Sequence, residues 1–293
     1  MSLFKGSAVA LVTPFHADGS VNFPKLEELV EWQIANGTDA IVACGTTGEA
    51  STLDNDEHLA VIGHVVKTAA GRVPVIAGTG SNDTAFGVWL SQEAEKLGAD
   101  ALLVVTPYYN KPTQKGLIVN FTAIADAVSI PVILYSVPGR TGVNIEPATV
   151  AELAKHPNIQ GIKEASGNIS QVAEIARLIP EGFSLYSGND DMVVPLMALG
   201  GQGVISVLAN IMPVETHRMA AAFLEGNLQE ARRLQLELKP LIDALFCESN
   251  PIPVKTALNL MGKEAGPLRL PLTDMADNTL ARLKQEMHAV GLL

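Results

Sequence analysis

The chain has 293 residues, 47% of them hydrophobic, which is enough for one large α/β domain with a sizeable core or for two ordinary domains. Acidic residues outnumber basic residues 31 to 20 without a basic cluster, so we expect binding neither to nucleic acid nor to anionic membranes. The two cysteines lie in unlike contexts, and the sequence has neither a signal-peptide core nor an apolar run near the roughly 20 residues that span a bilayer, which favours a cytoplasmic protein.

Short β-rich runs separated by helical patterns form a weak repeat along the chain. In residues 97–107, LGADALLVVTP, a helix end and a glycine cap precede an apolar run. Between such runs, apolar residues recur at helical spacing, and the first stripe extends from Leu26 to Ile34 after Pro24, a residue suited to the first turn of a helix. The predicted strands begin at Ala8, Ala40, Pro74, Ala101, Pro131, Ile159, Phe183 and Gly203.

This alternation of strand and helix predicts an α/β fold with a parallel sheet. Eight strand–helix units favour a closed (β/α)₈ barrel, or TIM barrel, over an open doubly wound sheet. From about Met212 the strand patterns stop and helical patterns dominate. We therefore predict a catalytic barrel over residues 1–225 and a C-terminal helical extension over residues 226–293.

The active site of such a barrel forms at the C-terminal ends of its strands. Polar sequences with hydroxyl groups, one arginine and one lysine follow several of the predicted strands. They are GTTGE at 45–49, TPYYNKPT at 106–113, YSVPGRTG at 135–142, KEASGN at 163–168 and SGND at 187–190.

Lys163 interrupts an otherwise apolar strand. Strand alternation places Ile159, Gly161 and Lys163 on one face, and if that face points into the barrel, Gly161 leaves space beneath the lysine stem. Burial would lower the pKa of the amine, and the free amine could attack a ketone to form a Schiff base. The alternative is a strand-end lysine that pairs with Glu164 or extends to water.

Four further residues are candidates for the same site. Tyr135 ends the neighbouring strand and could relay protons, or it could be a core tyrosine. Thr46 and Thr47, in GTTGE, could hold a carboxylate, or the segment could be a plain turn. Arg140 could clamp a carboxylate, or it could be a surface residue. No dinucleotide, Walker or metal-ligand motif occurs, so no cofactor and no metal are predicted.

A set of motifs in a fixed order resembles a known family. The motifs are GTTGE, TPYYNKPTQ, LYSVPGRTG, GIKEASGN, YSGND, GVISV and NPIPVK, and they cover nearly the whole chain. Together they closely resemble the dihydrodipicolinate synthase family, the pyruvate-condensing enzymes of bacterial and plant lysine biosynthesis. The wider superfamily also contains N-acetylneuraminate lyase and 2-keto-3-deoxy sugar acid aldolases, which remain the alternative. The TT pair at residues 46–47 and the RTG segment at residues 140–142 favour the dihydrodipicolinate synthase family over these aldolases.

The resemblance implies a Schiff-base mechanism without a cofactor. Lys163 would form an imine with pyruvate, and the derived enamine would attack L-aspartate 4-semialdehyde to give 4-hydroxy-tetrahydrodipicolinate. Tyr135 resembles the proton donor and acceptor, Thr47 its partner in a hydroxyl relay, and Thr46 the adjacent supporting position. Tyr109 resembles a relay tyrosine that family members insert from a neighbouring subunit, which implies a dimer as the minimum active unit and commonly a homotetramer.

The resemblance also assigns the residues that bind substrate. Arg140 resembles the clamp for the semialdehyde carboxylate, and Ile205 resembles a backbone contact to pyruvate. Thr47 and Gly188 complete the predicted substrate-binding set.

One departure from the family pattern concerns feedback inhibition by lysine. Lysine-inhibited bacterial members carry Glu where this chain has Phe86 and His where it has Asn55, whereas His58, Asn82 and Tyr108 match. Loss of the carboxylate removes a charge-assisted contact worth on the order of 1.5 to 3 kcal/mol. The resemblance therefore predicts weak or absent inhibition by lysine.

Overall fold

The computed structural model describes residues 3–293, in which eight parallel strands close into a barrel in chain order. The first and last strands pair with each other, so the sheet has no free edge. The strands are β1 (Gly6–Ala10), β2 (Ala40–Ala43), β3 (Val75–Gly78), β4 (Ala101–Val105), β5 (Val132–Ser136), β6 (Ile159–Glu164), β7 (Ser184–Ser187) and β8 (Gly203–Ser206). All eight predicted strands and the (β/α)₈ fold are confirmed.

Helices connect the strands and continue beyond the last one. Those up to the end of the barrel are α1 (Phe23–Ala35), α2 (Asn55–Ala69), α3 (Thr84–Lys96), α4 (Gln114–Asp126), α5 (Pro138–Thr141), α6 (Pro147–Leu153), α7 (Ile169–Leu178), α8 (Val193–Met197) and α9 (Pro213–Leu224). Those that follow are α10 (Leu228–Glu237), α11 (Lys239–Leu245), α12 (Ile252–Leu260) and α13 (Asp277–Ala289).

Capping residues explain where several of these helices begin. Asp54 accepts a hydrogen bond from the Glu57 backbone, and the Glu57 side chain accepts one in return, which forms a capping box at the start of α2. Asn168 caps α7 through two backbone N–H groups. Because these helices begin just after the C-terminal ends of strands, the polar caps lie at the end of the barrel where the site is predicted.

The apolar residues form an inner and an outer layer. The inner cluster fills the barrel and includes Ala8, Ile76, Leu103 and Ile205, whereas the outer cluster lies between the strands and the helices. Phe4, which precedes β1, stacks on Tyr186 with ring centroids 4.3 Å apart and so fills the N-terminal end of the interior. The open end of the barrel is therefore its C-terminal end.

Strand β6 departs from simple alternation. Val132 pairs with Ile159 but the next residue, Ile133, pairs with Gly161, so Gln160 is an extra, exposed residue in a bulge. Ile159 consequently faces the outer cluster. The prediction that Ile159 shares a face with Lys163 was wrong, because the bulge shifts the alternation by one residue.

The C-terminal helices pack on one another and on α9. The division into residues 1–225 and 226–293 stays a prediction, and its first two residues lie outside the described part of the chain. Among residues 3–293, no helix combines the length and the apolar character that a membrane span requires.

Candidate active site

Lys163 points into the barrel at the C-terminal end of β6. Its side chain is 5% exposed, and its Nζ lies 4.3 Å from the centroid of the Tyr135 ring. Burial lowers the pKa of Lys163 to about 7; the Asp190 carboxylate opposes this change and the Arg140 charge adds to it. Glu164, the alternative partner, instead accepts hydrogen bonds from Ser166 and Gln171. The amine is thus buried and available at neutral pH.

The space around the lysine stem comes from Gly188. A Cβ atom at Gly188 would lie 3.1 Å from both Cγ and Cε of Lys163. The expectation that Gly161 provides this space was wrong, because a Cβ atom at Gly161 would instead meet the Ser184 carbonyl oxygen at 2.8 Å. Gly161 allows close approach of β6 to β7, and Gly188 allows the lysine to extend.

Tyr135 lies beside Lys163 and is hydrogen-bonded to Thr46. Burial raises the pKa of Tyr135 to about 12, although the Arg140 charge and the Thr46 hydrogen bond lower it in part. The phenol is therefore protonated at neutral pH. The family resemblance assigned the relay hydroxyl to Thr47 and a supporting position to Thr46, but the hydroxyl that contacts Tyr135 belongs to Thr46.

Thr47 has a different partner, which the sequence analysis missed. Its Oγ1 accepts a hydrogen bond of 2.9 Å from Nδ2 of Asn250, and the backbone carbonyl of Asn250 accepts one of 3.0 Å from Arg140. Asn250 is 5% exposed and lies just before α12. It begins the NPIPVK motif, so its position in that motif was the available signal.

A buried ion pair holds the loop that carries the two threonines. Glu49 Oε1 lies 2.7 Å from Lys255 Nζ, and both side chains are 1% exposed. The second Glu49 oxygen accepts a hydrogen bond from the Arg269 backbone, and Lys255 also donates to the Pro267 carbonyl. Burial lowers the pKa of Lys255 to about 8, and the Glu49 charge opposes that change. Glu49 thus connects GTTGE to the C-terminal helices.

A cavity of about 420 Å³ opens at this end of the barrel. Its lining includes Thr46, Tyr135 and Arg140, and also Phe86 and His58. Its full lining also includes Cys44, Gly45, Ala50, Ser51, Leu53, Asn55, Gly78, Gly80, Ser81, Leu90, Leu103, Val105, Tyr108, Val137 and Thr141. The predicted tyrosine, arginine and one threonine therefore line one opening, and Lys163 Nζ lies 4.3 Å from the centroid of that tyrosine's ring.

The cavity lining does not include five of the predicted site residues, which are Lys163, Thr47, Tyr109, Gly188 and Ile205. Tyr109 is 89% exposed, so within one chain its side chain is almost fully open to solvent. Its φ of 72° lies in the left-handed region. Ile205 is fully buried in the inner cluster. In the described part of the chain, no three His, Cys, Asp or Glu side chains are arranged to hold a metal ion.

Comparison with known proteins identifies the family. The model of the Dihydrodipicolinate synthetase family matches residues 3–290. The 4-hydroxy-tetrahydrodipicolinate synthase of Thermoanaerobacter sp. strain X514 is 60% identical over 294 residues, with coverage of 100% of this chain and 99% of the relative.

Solved structures agree with that match. The dihydrodipicolinate synthase of Acinetobacter baumannii, described as chloride-inhibited and complexed with pyruvate, has a TM-score of 0.96 and 47% identity, and 99% of each chain is covered. The lysine-bound enzyme of Cyanidioschyzon merolae has a TM-score of 0.97 and 44% identity over 100% of both chains. This chain, with its buried lysine and tyrosine at the open end of a TIM barrel, belongs to the dihydrodipicolinate synthetase family.

Proposed function

We propose that this protein condenses pyruvate with L-aspartate 4-semialdehyde to give 4-hydroxy-tetrahydrodipicolinate, in the synthesis of lysine and diaminopimelate. The observation that carries the proposal is the buried amine of Lys163, whose pKa is lowered to about 7 beside the protonated phenol of Tyr135. The names of the relatives and the pyruvate complex of one of them support the same substrates.

The reaction begins with attack of the Lys163 amine on the keto carbon of pyruvate. Tyr135 donates a proton to the carbinolamine hydroxyl, which then leaves as water, and the Thr46 hydroxyl helps to return a proton to Tyr135. Loss of a methyl proton from the imine gives an enamine, whose carbon attacks the semialdehyde aldehyde carbon. The semialdehyde amine then displaces Lys163 from the imine carbon, which closes the ring and restores the free lysine. One water is released for each pair of substrates.

Charge in the cavity favours two carboxylate-bearing substrates. Arg140 is exposed at the opening, and one of its N–H groups is engaged by the Asn250 carbonyl, which leaves other donors of the guanidinium for the semialdehyde carboxylate. The Thr47 hydroxyl, which accepts a hydrogen bond from the side chain of Asn250, would donate its hydrogen to the pyruvate carboxylate. Gly188 and the Ile205 backbone would complete the pyruvate pocket.

The test is a coupled assay that offers three aldehydes with pyruvate. We expect turnover with aspartate semialdehyde and little with N-acetylmannosamine or glyceraldehyde. Turnover with either sugar-type aldehyde in preference to the semialdehyde would assign the protein to the alternative aldolases. No turnover with any of the three would contradict the proposed condensation.

For the active assembly, we propose a homotetramer built from dimers in which Tyr109 enters the neighbouring site. A tyrosine that is 89% exposed and held at a φ of 72° is costly in an isolated chain, and a partner surface would bury it. Size measurement in solution tests the assembly. Mixed dimers of inactive Lys163→Ala and Tyr109→Phe chains test the shared site, because each mixed dimer would hold one intact site only if the tyrosine crosses the interface.

A cytoplasmic location also fits the chain. Cys44 and Cys247 are both free thiols in the structure. Free cysteines are typical of a reducing compartment. Fractionation of the source cells would test the location.

We further propose weak or absent feedback inhibition by lysine. Phe86 and Asn55 line the cavity together with His58 and Tyr108, and Phe86 packs against Trp89 with ring centroids 5.4 Å apart. Phe86 offers no carboxylate for the effector's ammonium group. Strong, saturable inhibition by lysine would contradict this proposal.

A further inference from the structure

We infer that Asn250, contributed by the C-terminal helical region, is a positioning residue that holds both carboxylate-binding side chains of the site. The inference rests on the proposed function, which makes Thr47 a ligand for pyruvate and Arg140 a ligand for the semialdehyde. Asn250 is the residue that contacts both, with its side chain on one and its backbone on the other.

The bond to Thr47 sets the direction of the threonine hydroxyl. Asn250 Nδ2 donates to Thr47 Oγ1 at 2.9 Å, so the threonine oxygen acts as an acceptor in this contact. The hydroxyl hydrogen of Thr47 is then free to donate to another group. A carboxylate is the acceptor that gains most from such a donor, because a charge-assisted hydrogen bond is stronger than a neutral one. Asn250 thus leaves Thr47 oriented for an anion.

The bond to Arg140 acts through the backbone. Arg140 donates to the Asn250 carbonyl at 3.0 Å, and the two residues are 110 positions apart in the sequence. Arg140 lies in an exposed segment after β5, where a long side chain has many rotamers. One fixed N–H group limits those rotamers and directs the guanidinium toward the cavity it lines.

Burial makes Asn250 suited to this role and gives a clean test. The residue is 5% exposed, and its Oδ1 has no hydrogen-bond partner within residues 3–293. Truncation of the side chain therefore removes one hydrogen bond, the one to Thr47, and leaves the backbone carbonyl for Arg140. The inference predicts that side-chain changes weaken pyruvate binding more than semialdehyde binding.

The experiment measures borohydride trapping of pyruvate on Lys163 as a function of pyruvate concentration, together with KM for each substrate. For Asn250→Ala we expect the half-saturating pyruvate concentration to rise about tenfold, with a smaller rise in semialdehyde KM. Asn250→Asp should also raise the half-saturating pyruvate concentration, because the new carboxylate would accept the Thr47 hydroxyl hydrogen and would repel the pyruvate carboxylate. The neighbouring Ser249→Ala, at an exposed side chain, is the matched control and should stay within about twofold of wild type.

A second pair of variants tests the connection through Thr47. If Asn250 acts by orienting that hydroxyl, Asn250→Ala added to Thr47→Val should raise the pyruvate requirement little beyond Thr47→Val alone. Multiplicative effects, or an unchanged pyruvate requirement in Asn250 variants with the wild-type unfolding midpoint, would overturn the inference. Loss of the fold in both Asn250 variants would make the residue structural and would overturn it too. A wild-type protein that is not labelled at Lys163 would instead overturn the proposed function.

Discussion

The pH dependence of imine formation follows directly from the environment of Lys163. An ordinary lysine has a pKa of 10.5, so only about 0.1% of its amine is free near pH 7.5, whereas a pKa of about 7 leaves about three-quarters free. The buried position therefore raises the reactive fraction by a factor of several hundred. Protonation blocks attack, so the rate should rise about tenfold per pH unit below pH 7 and level off above it.

Substitution of Arg140 provides the perturbation. Its positive charge helps to lower the pKa of Lys163, so Arg140→Met should raise that pKa and move the acid limb to higher pH. The assay is kcat/KM for pyruvate, or the rate of borohydride inactivation with pyruvate, at a series of pH values and constant ionic strength. A wild-type limb above about pH 9, or a limb that moves to lower pH in Arg140→Met, would refute the reasoning.

Three further outcomes are expected. Lys255→Met should lower the free energy of unfolding by about 3–5 kcal/mol, because it leaves Glu49 buried without its partner. The added change Glu49→Gln should restore part of that loss. Denaturant unfolding measures both variants, and additive losses would contradict an energetic coupling between Lys255 and Glu49. Tyr109→Phe should lower kcat about 100-fold or more while leaving the unfolding midpoint unchanged. Steady-state kinetics measure the first quantity and thermal melting the second. An unchanged kcat would show that Tyr109 is not part of the proton relay. Phe86→Glu should make the enzyme sensitive to inhibition by lysine, which is measured as an inhibition constant. Phe86→Gln is the uncharged control. Equal inhibition constants for the two variants would contradict a charge-assisted contact.

The overall fold could be predicted because its signals are local and repeated. Apolar runs and helical stripes recur along the chain, with glycine caps at several units, so an error at one unit does not change the count of the others. The bulge at Gln160 could not be predicted in this way, since it depends on pairing between β5 and β6. For the same reason, the space for Lys163 was assigned to Gly161 on its own strand, although Gly188, directly after β7, provides it.

Long-range contacts limited the prediction of the site. Strand-end positions located Lys163 and Tyr135, but spacing within GTTGE does not say which threonine faces the tyrosine, and the turn gives that position to Thr46. Asn250 lies 203 residues from Thr47 along the chain, and Glu49 lies 206 residues from Lys255. Such partners have no periodic pattern that a single sequence can reveal.

Trapping of the covalent intermediate tests the central claim most directly. The wild-type protein is incubated with pyruvate, reduced with borohydride, digested, and examined by peptide mass spectrometry, with omission of pyruvate as the control. We expect a reduced pyruvate adduct on Lys163 and on no other lysine, including the buried Lys255. An adduct on another lysine, or no adduct under conditions of turnover, would contradict a Schiff-base mechanism at Lys163.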